Sequence, residues 1–418
     1  MNINEDRLWG LLEEVNEIGK LDSGGAERLA WTQEEIAARR WLLQRCESEG
    51  LEVSYDEAGN VWVFADKRPA VMMGSHLDTV PSGGRFDGAL GVTSALEGLL
   101  SARDAREPGW DRLGVLCFTD EEGVRFGLGM TGSRALAGDL GVDELESATT
   151  TEGIRLGDVM REAGFDPVRV TAVAGRRRDL RAYLEVHVEQ GRRLERAGLP
   201  ASIVTGIVGL SHWRLQVLGE ANHAGTTLPA DRRDALIPIA AAALEAQQVM
   251  RGVGSAGPQK SGSGEQLVAT VGEADVVGGA TNIVPGEARA TLDVRSLDED
   301  LIDGANQQIL EAASRAADDN GCELRVHETK RLRAAPMAPE VLDAMRGAAR
   351  ELEFEVPEMA SMAGHDAMTL TGAGVPCGMV FVRSEGGISH SPKENSTVED
   401  CALGASLLVT AALRLAIS

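Results

Sequence analysis

Histidines and carboxylates stand at, or just past, the ends of apolar segments that have the composition of buried strands. His76 follows "VMMGS", and the pair Glu121 and Glu122 follows "VLCFTD". His187 lies in "YLEVHVEQG", and His390 closes the loop after "GMVFV". Because ligands of open α/β sheets bind at the carboxyl ends of the strands, these segments are predicted to meet at one edge. The donors are nitrogen and oxygen without a thiolate, a set that suits zinc, manganese or cobalt.

The spacing of the acids predicts a role for each of them. Asp87 follows His76 across the glycine turn "SGGRFDG" and is predicted to bridge two divalent ions. Asp78 is predicted to accept the other ring N–H of His76 and so to fix its tautomer. Glu122 is predicted to be a metal ligand. Glu121 is predicted to be the general base toward the water that attacks the substrate.

Each of these features has an ordinary explanation when it is taken alone. A histidine near an aspartate can be a capped loop residue, and an acid pair can be a solvated turn. "HVEQ" can be a half-exposed strand, and a histidine in a glycine loop can be structural. The joint pattern at four strand ends favours a metal site. The isolated His212 and His327 are predicted to be structural.

Alternating strand and helix patterns predict the elements that position these residues. They indicate an α/β fold with a mixed, mostly parallel sheet flanked by helices. The middle of the chain has the order β, α, β, β, α, β, which predicts an inserted α+β domain with an antiparallel sheet. We therefore expect a catalytic domain formed by residues 1–208 and 329–418, with residues 209–328 as the insertion. A Gly/Ser-rich loop is expected at 252–265.

Composition excludes several classes of partner. The 418-residue chain has 65 acidic and 41 basic side chains and a formal net charge of -24. This balance disfavours nucleic acid and anionic membranes as partners, because both require a basic face. The five cysteines form no CxxC motif, and the N-terminus lacks the basic and apolar regions of a signal peptide. We therefore expect a cytoplasmic protein.

Several stretches resemble a family of amidohydrolases that cleave N-carbamoyl-L-amino acids, allantoate and β-ureidopropionate. This family is a branch of the two-metal aminoacylase and carboxypeptidase superfamily. The matching stretches are "GSHLDTVPSGGRFDGALGV", "FTDEEGVRFG", "LEVHVEQG", "GEANHAGTT", "NIVPGEARATLDVRS", "SMAGHDAM" and "GGISHSP". The resemblance implies the metal ligands and the base given above, and two divalent ions (Zn, Mn or Co) per subunit. It also implies a zinc-peptidase-like catalytic domain and a homodimer formed through the inserted lid domain.

The same resemblance implies substrate-binding residues in the inserted domain. Asn282 and Arg295 resemble the pair that grips a substrate carboxylate, for which a guanidinium fork is suited. His223 resembles the histidine that stabilises the developing oxyanion. The alternatives are a surface ion pair of Arg295 with Asp293 or Asp298, and a hinge-loop role for His223.

The remaining implied positions lie near the proposed metal site. Gln190 resembles an amide that binds the ureido group, and His365 is predicted to contact substrate. Asp366 is predicted to contact residues of the site rather than the substrate or the metal ions. The family usually continues "HAGTT" with proline and methionine, whereas Leu228 precedes Pro229 here. The departure lies in the turn that carries His223, and the predictions of substrate size and lid closure depend on the shape of this turn.

The predicted function is hydrolysis of an N-carbamoyl-L-amino acid to the amino acid, carbon dioxide and ammonia. Allantoate or β-ureidopropionate is the alternative substrate within the same family. An aminoacylase or dipeptidase is a more distant alternative, which His187 disfavours because peptidase relatives typically carry aspartate there. A catalytically inactive binding or scaffold protein is disfavoured by the complete ligand set and by Glu121.

Overall fold

The computed structural model describes residues 1–254 and 267–418, and the predicted Gly/Ser loop lies from residue 255 onward outside them. The strands are β1 (Glu52–Tyr55), β2 (Val61–Phe64), β3 (Ala70–His76), β4 (Leu113–Phe118), β5 (Leu180–Val188), β6 (Ala201–Ile207), β7 (Gly209–Leu218), β8 (Asn222–His223), β9 (Val268–Val276), β10 (Ile283–Val284), β11 (Glu287–Ser296), β12 (Glu323–Leu332), β13 (Ala335–Pro336), β14 (Glu358–Ser361) and β15 (Cys377–Val382). The α-helices are α1 (Glu5–Asn16), α2 (Gln33–Ser48), α3 (Ala89–Ala105), α4 (Thr131–Ala137), α5 (Val142–Ser147), α6 (Leu156–Glu162), α7 (Arg193–Ala197), α8 (Leu236–Gly254), α9 (Glu299–Asp319), α10 (Pro339–Glu351), α11 (Asp366–Gly372) and α12 (Val398–Ile417).

The described chain divides into two compact units. Unit 1 comprises Met1–Thr205 and Met337–Ser418, and unit 2 comprises Gly206–Pro336. The predicted second boundary, between residues 328 and 329, falls inside β12. Because β12 stays paired with β7 as far as Leu332, opposite Leu210, unit 2 extends beyond that boundary.

The sheet of unit 1 has strand order β1-β2-β4-β3-β5-β15-β6-β13, and β14 also pairs with β6. Its centre, β4-β3-β5-β15, is parallel. The strands on either side of this centre are antiparallel. The predicted mixed, mostly parallel α/β fold is therefore confirmed.

Continuous apolar sequences form the central strands because helices cover both faces of the sheet. Every residue of β3, β4 and β15 is buried. Strands buried on both faces are typical of parallel sheets and lack the polar alternation of half-exposed strands. Helix α12 is long and apolar enough to cross a bilayer, but 83% of its most apolar window is buried inside the protein. It is a core helix of unit 1.

Unit 2 contains a four-stranded antiparallel sheet of order β12-β7-β11-β9. Alternate residues of β7 and β11, including Leu215, Val217 and Leu292, belong to one buried cluster with residues of α8 and α9. The opposite face of these strands carries polar side chains, so the alternation follows burial on one side only. Helix α8 begins at Leu236, after the separate short turn Pro229–Asp231.

Candidate metal centre and active site

The four central parallel strands bring the predicted ligands of unit 1 to one edge of the sheet. His76 is the last residue of β3 and lies opposite Phe118, the last residue of β4. Glu121 lies three residues after the end of β4, and His187 lies near the end of β5, opposite Phe381 of β15. Parallel strands end on the same side, so residues far apart in sequence become neighbours.

Asp87 presents a different carboxylate oxygen to each of two groups of donors. Its Oδ1 lies 3.1 Å from Nε2 of His187 and 3.5 Å from Nε2 of His76. Its Oδ2 lies 3.4 Å from Nε2 of His390, which is itself 3.6 Å from Oε2 of Glu122. Within each group the potential ligand atoms lie within 4.8 Å of one another. The two groups therefore share one carboxylate, as a bridging ligand requires.

Backbone carbonyls fix the tautomers of the two buried imidazoles. Nδ1 of His76 lies 3.0 Å from the carbonyl oxygen of Asp78, and Nδ1 of His187 lies 2.9 Å from that of Val188. A carbonyl can only accept, so each Nδ1 carries the hydrogen. In the neutral form of each ring, Nε2 then keeps its lone pair facing Asp87, where a cation would bind.

Asp78 has a different role from the predicted one. Its side chain is predicted to accept the ring N–H of His76, but the closest carboxylate oxygen is 3.6 Å away and the backbone carbonyl takes that hydrogen. The carboxylate instead accepts the backbone N–H groups of Glu121 and Glu122, each at 3.2 Å. Asp78 thereby fixes the backbone that carries the proposed base and ligand.

Burial and neighbouring charges shift the pKa values of the first donor group in opposite directions. Burial disfavours charge on His187, but the Asp87 carboxylate outweighs it and raises the pKa of the ring to about 9. Burial acts in the same way on His76, and the nearby carboxylates, Asp78 and Asp87 foremost, raise its pKa well above the ordinary value. Burial would raise the pKa of Asp87, but the charge of His187 and contacts with the other rings lower it well below its usual range. A divalent cation can replace these positive charges.

The acid pair is protonated more easily than ordinary glutamates. Burial raises the pKa of Glu121 well above its usual value. Burial, together with the charge of Asp87, raises the pKa of Glu122 to about 7. Oε1 of Glu122 is buried without a hydrogen-bond partner among the described residues. An unpaired buried carboxylate oxygen is costly unless a cation meets it, so this donor set fits divalent metal ions.

Two other predicted residues of unit 1 lie beside this centre. The amide Nε2 of Gln190 donates to Oδ2 of Asp87 at 2.8 Å, and its Oε1 is buried without a partner among the described residues. The ring of His365 is buried 4.6 Å from that of His187, centroid to centroid, with its Nε2 3.0 Å from Oγ of Ser361. Burial, followed by the charge of His187, lowers the pKa of His365 well below its ordinary value.

Two buried carboxylates, Glu185 and Asp366, lie next to the His76–His187 group. Burial and the charge of Glu185 raise the pKa of Asp366 to about 8. Glu185 accepts the hydroxyl hydrogen of Ser75 at 2.7 Å and the backbone N–H of Ala367 at 3.3 Å. These contacts join β3, β5 and the start of α11. Glu185 is not among the site residues predicted above.

Ser389 and Glu394, which are not among the predicted site residues, both contact Asp87. The hydroxyl of Ser389 lies 3.0 Å from Oδ2 of Asp87 and 2.9 Å from Oε1 of Glu394. Oε2 of Glu394 accepts the backbone N–H groups of Phe86 and Asp87. Both residues lie close to His390 in the loop after β15. This closeness in sequence to a predicted ligand is the signal by which they could have been found.

In unit 2, the structure brings His223 and Asn282 together. His223 pairs with Ile283 across β8 and β10, and the carbonyl of Asn282 accepts the N–H of Ala224 at 2.8 Å. Nδ1 of His223 accepts the backbone N–H groups of Gly225 and Thr226 at 3.0 and 3.1 Å. The ring hydrogen is therefore on Nε2, which makes that atom a donor.

Arg295 forms the ion pair that the sequence analysis gave as an alternative to substrate binding. Its Nε and Nη2 donate to the two carboxylate oxygens of Asp293 at 2.9 and 3.0 Å. Nε2 of His212 lies 2.7 Å from Oδ2 of the same carboxylate. The Arg295 side chain is 35% exposed. In the loop after His223, Leu228 exposes 65% of its surface.

Comparisons with known proteins place the chain in a family. Residues 72–414 match peptidase family M20/M25/M40. The chain is 38% identical to an N-carbamoyl-L-amino acid amidohydrolase of Geobacillus stearothermophilus, with 97% of both chains covered. It is 30% identical to an allantoate amidohydrolase of Bacillus subtilis, covering 99% of this chain and 98% of that protein.

A solved structure agrees with this placement. The chain resembles an amidase of the hydantoinase/carbamoylase family from Burkholderia multivorans, with a TM-score of 0.85 and 31% identity over 100% of this chain and 99% of the other. The donor groups around Asp87 have the composition that metal-dependent hydrolysis requires. The chain belongs to peptidase family M20/M25/M40, among its hydantoinase/carbamoylase-type amidases, which are metal-dependent hydrolases of C–N amide bonds.

Proposed function

We propose that this protein hydrolyses the ureido group of an N-carbamoyl-L-amino acid with two divalent ions held at Asp87. The observation that carries this proposal is the shared carboxylate, whose two oxygens face separate donor groups beside Glu121. The 38% identity to an N-carbamoyl-L-amino acid amidohydrolase over nearly the whole chain supports the choice of substrate.

Five side chains of unit 1 would hold the ions. One ion would be bound by His76, His187 and Oδ1 of Asp87, and the other by Oδ2 of Asp87, Glu122 and His390. The nitrogen and oxygen donors suit zinc, manganese or cobalt. When bound, the ions supply Lewis acidity, which polarises the ureido carbonyl and makes water a stronger nucleophile.

Glu121 is the proposed general base. Its Oε2 lies 3.9 Å from Nε2 of His76, and Asp78 fixes its backbone. Its burial raises its pKa, as a group that must both take and return a proton near neutral pH requires. It removes a proton from the attacking water and delivers it to the amino-acid nitrogen as the C–N bond breaks. The products are the amino acid and carbamate, which decomposes to carbon dioxide and ammonia.

Other side chains are proposed to bind the substrate. Oε1 of Gln190 is an available acceptor for a ureido N–H, because Nε2 of the same amide is held by Asp87. Nε2–H of His223 is a donor suited to the oxyanion. Arg295, with Asn282, is proposed to bind the substrate carboxylate, and His365 to line the site.

Allantoate is the second candidate substrate, because an allantoate amidohydrolase is 30% identical over nearly the whole chain. Allantoate also carries a ureido group next to a carboxylate, so both substrates need the same base and the same anion-binding arginine. Because this identity is lower than the 38% to the N-carbamoyl-L-amino acid amidohydrolase, allantoate is the less favoured substrate.

We also propose a cytoplasmic homodimer that assembles through unit 2. Helix α8 exposes Leu236, Ile237 and Leu244, by 39%, 43% and 63% respectively. Exposed apolar side chains on one helix are typical of an interface. A Leu244→Glu variant is expected to shift the mass measured by light scattering from dimer to monomer. An unchanged mass would argue against this surface.

The experiment that tests the substrate is a comparison of ammonia release. Metal-free protein is reloaded with zinc, manganese or cobalt and supplied with N-carbamoyl amino acids of both chiralities, allantoate, ureidoglycolate and β-ureidopropionate. We expect the highest kcat/KM with an N-carbamoyl-L-amino acid and no turnover after chelation. Cleavage of N-acyl amino acids without ammonia release from any ureide would contradict the proposal.

A further inference from the structure

The two donor groups around Asp87 differ in how firmly the fold holds them. His76 and His187 lie within strands β3 and β5 and are only 1% and 2% exposed. His390 lies in the loop after β15, its side chain is 49% exposed, and its φ of 53° is in the left-handed region. A loop residue in this conformation needs contacts outside the sheet to hold it.

Glu394 supplies those contacts. Its side chain is buried, and its Oε2 accepts the backbone N–H groups of Phe86 at 2.9 Å and Asp87 at 3.1 Å. Its Oε1 lies 2.9 Å from Oγ of Ser389, which lies 3.0 Å from Oδ2 of Asp87. One carboxylate therefore ties the turn that carries Asp87 to the loop that carries His390.

The glycine turn is shaped around this carboxylate. A Cβ atom on Gly84 would lie 1.9 Å from Oε2 of Glu394, much closer than any van der Waals contact allows. Gly84 thus lets the turn close onto Glu394, and the close approach explains a glycine at this position.

We propose that Glu394 is a positioning residue for the second ion-binding group, formed by Oδ2 of Asp87, Glu122 and His390. This proposal rests on the two-ion centre of the proposed function. Glu394 sets the direction of Oδ2 through Ser389 and the place of His390 through the loop. Loss of Glu394 should affect the first group less, because this group shares only Asp87 with the turn and its two rings are held by β3, β5 and the carbonyls of Asp78 and Val188.

The test compares Glu394→Ala with Glu394→Gln by titrating metal-free protein with zinc against a chromophoric chelator. Wild-type protein is expected to bind two equivalents. Glu394→Ala is expected to bind the first only slightly more weakly than wild type and the second roughly 10- to 100-fold more weakly, the usual effect of losing a residue that orients a ligand. Glu394→Gln should restore the second site, because its carbonyl oxygen can accept both amides and its NH2 can donate to Ser389.

Glu97→Ala is the matched control. Glu97 is also buried and accepts a backbone N–H, that of Asn4, at 2.9 Å and the hydroxyl hydrogen of Ser101, but it lies on α3 away from the donor groups. It should lower the melting temperature and leave both zinc affinities unchanged. If Glu394→Ala does not fold, Ser389→Ala removes the link to Asp87 alone and should weaken the second zinc selectively.

The proposal is overturned if Glu394→Ala keeps both affinities, if it weakens both equally, or if wild-type protein binds a single equivalent. Zinc titration needs no substrate, so it separates this proposal from the proposed reaction. Two zinc equivalents with a selective loss in Glu394→Ala, but no ureide hydrolysis by the wild type, would support the positioning role and reject the proposed substrate.

Discussion

Replacing Asp78 with asparagine tests whether one buried carboxylate sets the geometry of the proposed base. The two side chains have nearly the same shape, but the asparagine NH2 must face a backbone N–H of Glu121 or Glu122, both of which now donate to Asp78 at 3.2 Å. One charge-assisted bond is lost, and an amide hydrogen is left without an acceptor. The loss should lower the free energy of unfolding by roughly 2 to 4 kcal/mol.

The effect on turnover follows from the displacement of Glu121. A shift of about 1 Å in a catalytic group can reduce a rate by roughly 100-fold, so we expect kcat to fall by about that factor. The zinc content should stay at the wild-type value, because the Nδ1–H of His76 is held by the Asp78 backbone carbonyl, which the substitution keeps.

The assay measures kcat and KM for ammonia release, zinc content and urea unfolding on the same preparation. Asp56→Asn is the control, since Asp56 is also buried and accepts two backbone N–H groups, those of Ala58 and Asn60. It should lose stability and keep its kcat. A wild-type kcat in fully loaded Asp78→Asn would refute the positioning of Glu121 by Asp78.

Three further predictions concern pH, packing and specificity. In metal-free protein, the raised pKa of His187, from 6.5 to about 9, stabilises the fold below the lower value. This stability, roughly 3 kcal/mol, should be lost as pH rises through 9, whereas zinc-loaded protein should show no such loss in urea unfolding. Gly88→Ala places a Cβ 2.5 Å from the His76 ring at a φ of 64°, so zinc content and melting temperature should both fall. Arg295→Lys should raise KM roughly 10-fold or more for a carboxylate substrate and leave KM for its carboxamide analogue unchanged.

The edge of the sheet that carries the site could be predicted because parallel strands obey simple rules. The apolar runs that precede His76, Glu121 and His390 are predicted to be buried strands, and parallel strands end at one edge. Helix α9 (Glu299–Asp319) is also predictable from sequence, since it has a capping aspartate and a clear apolar face.

The contacts that orient these residues could not be predicted, because they depend on turn geometry and on loops that meet only in the folded chain. Spacing does not show whether the side chain or the carbonyl of Asp78 meets His76. Glu394 contacts a turn some three hundred positions earlier in the chain, so local patterns do not select it. The alternation of β5 predicts a polar face, and the structure buries that face, including Glu185, inside the protein.

The central claim is that Glu121 is the base of a metal-dependent ureide hydrolysis, and ammonia release by zinc-loaded Glu121→Gln tests it most directly. The account predicts two bound zinc equivalents, as in the wild type, with a kcat for an N-carbamoyl-L-amino acid lowered by roughly 10²- to 10⁴-fold, the range that general bases contribute. Two bound equivalents with an unchanged rate of ammonia release would contradict it.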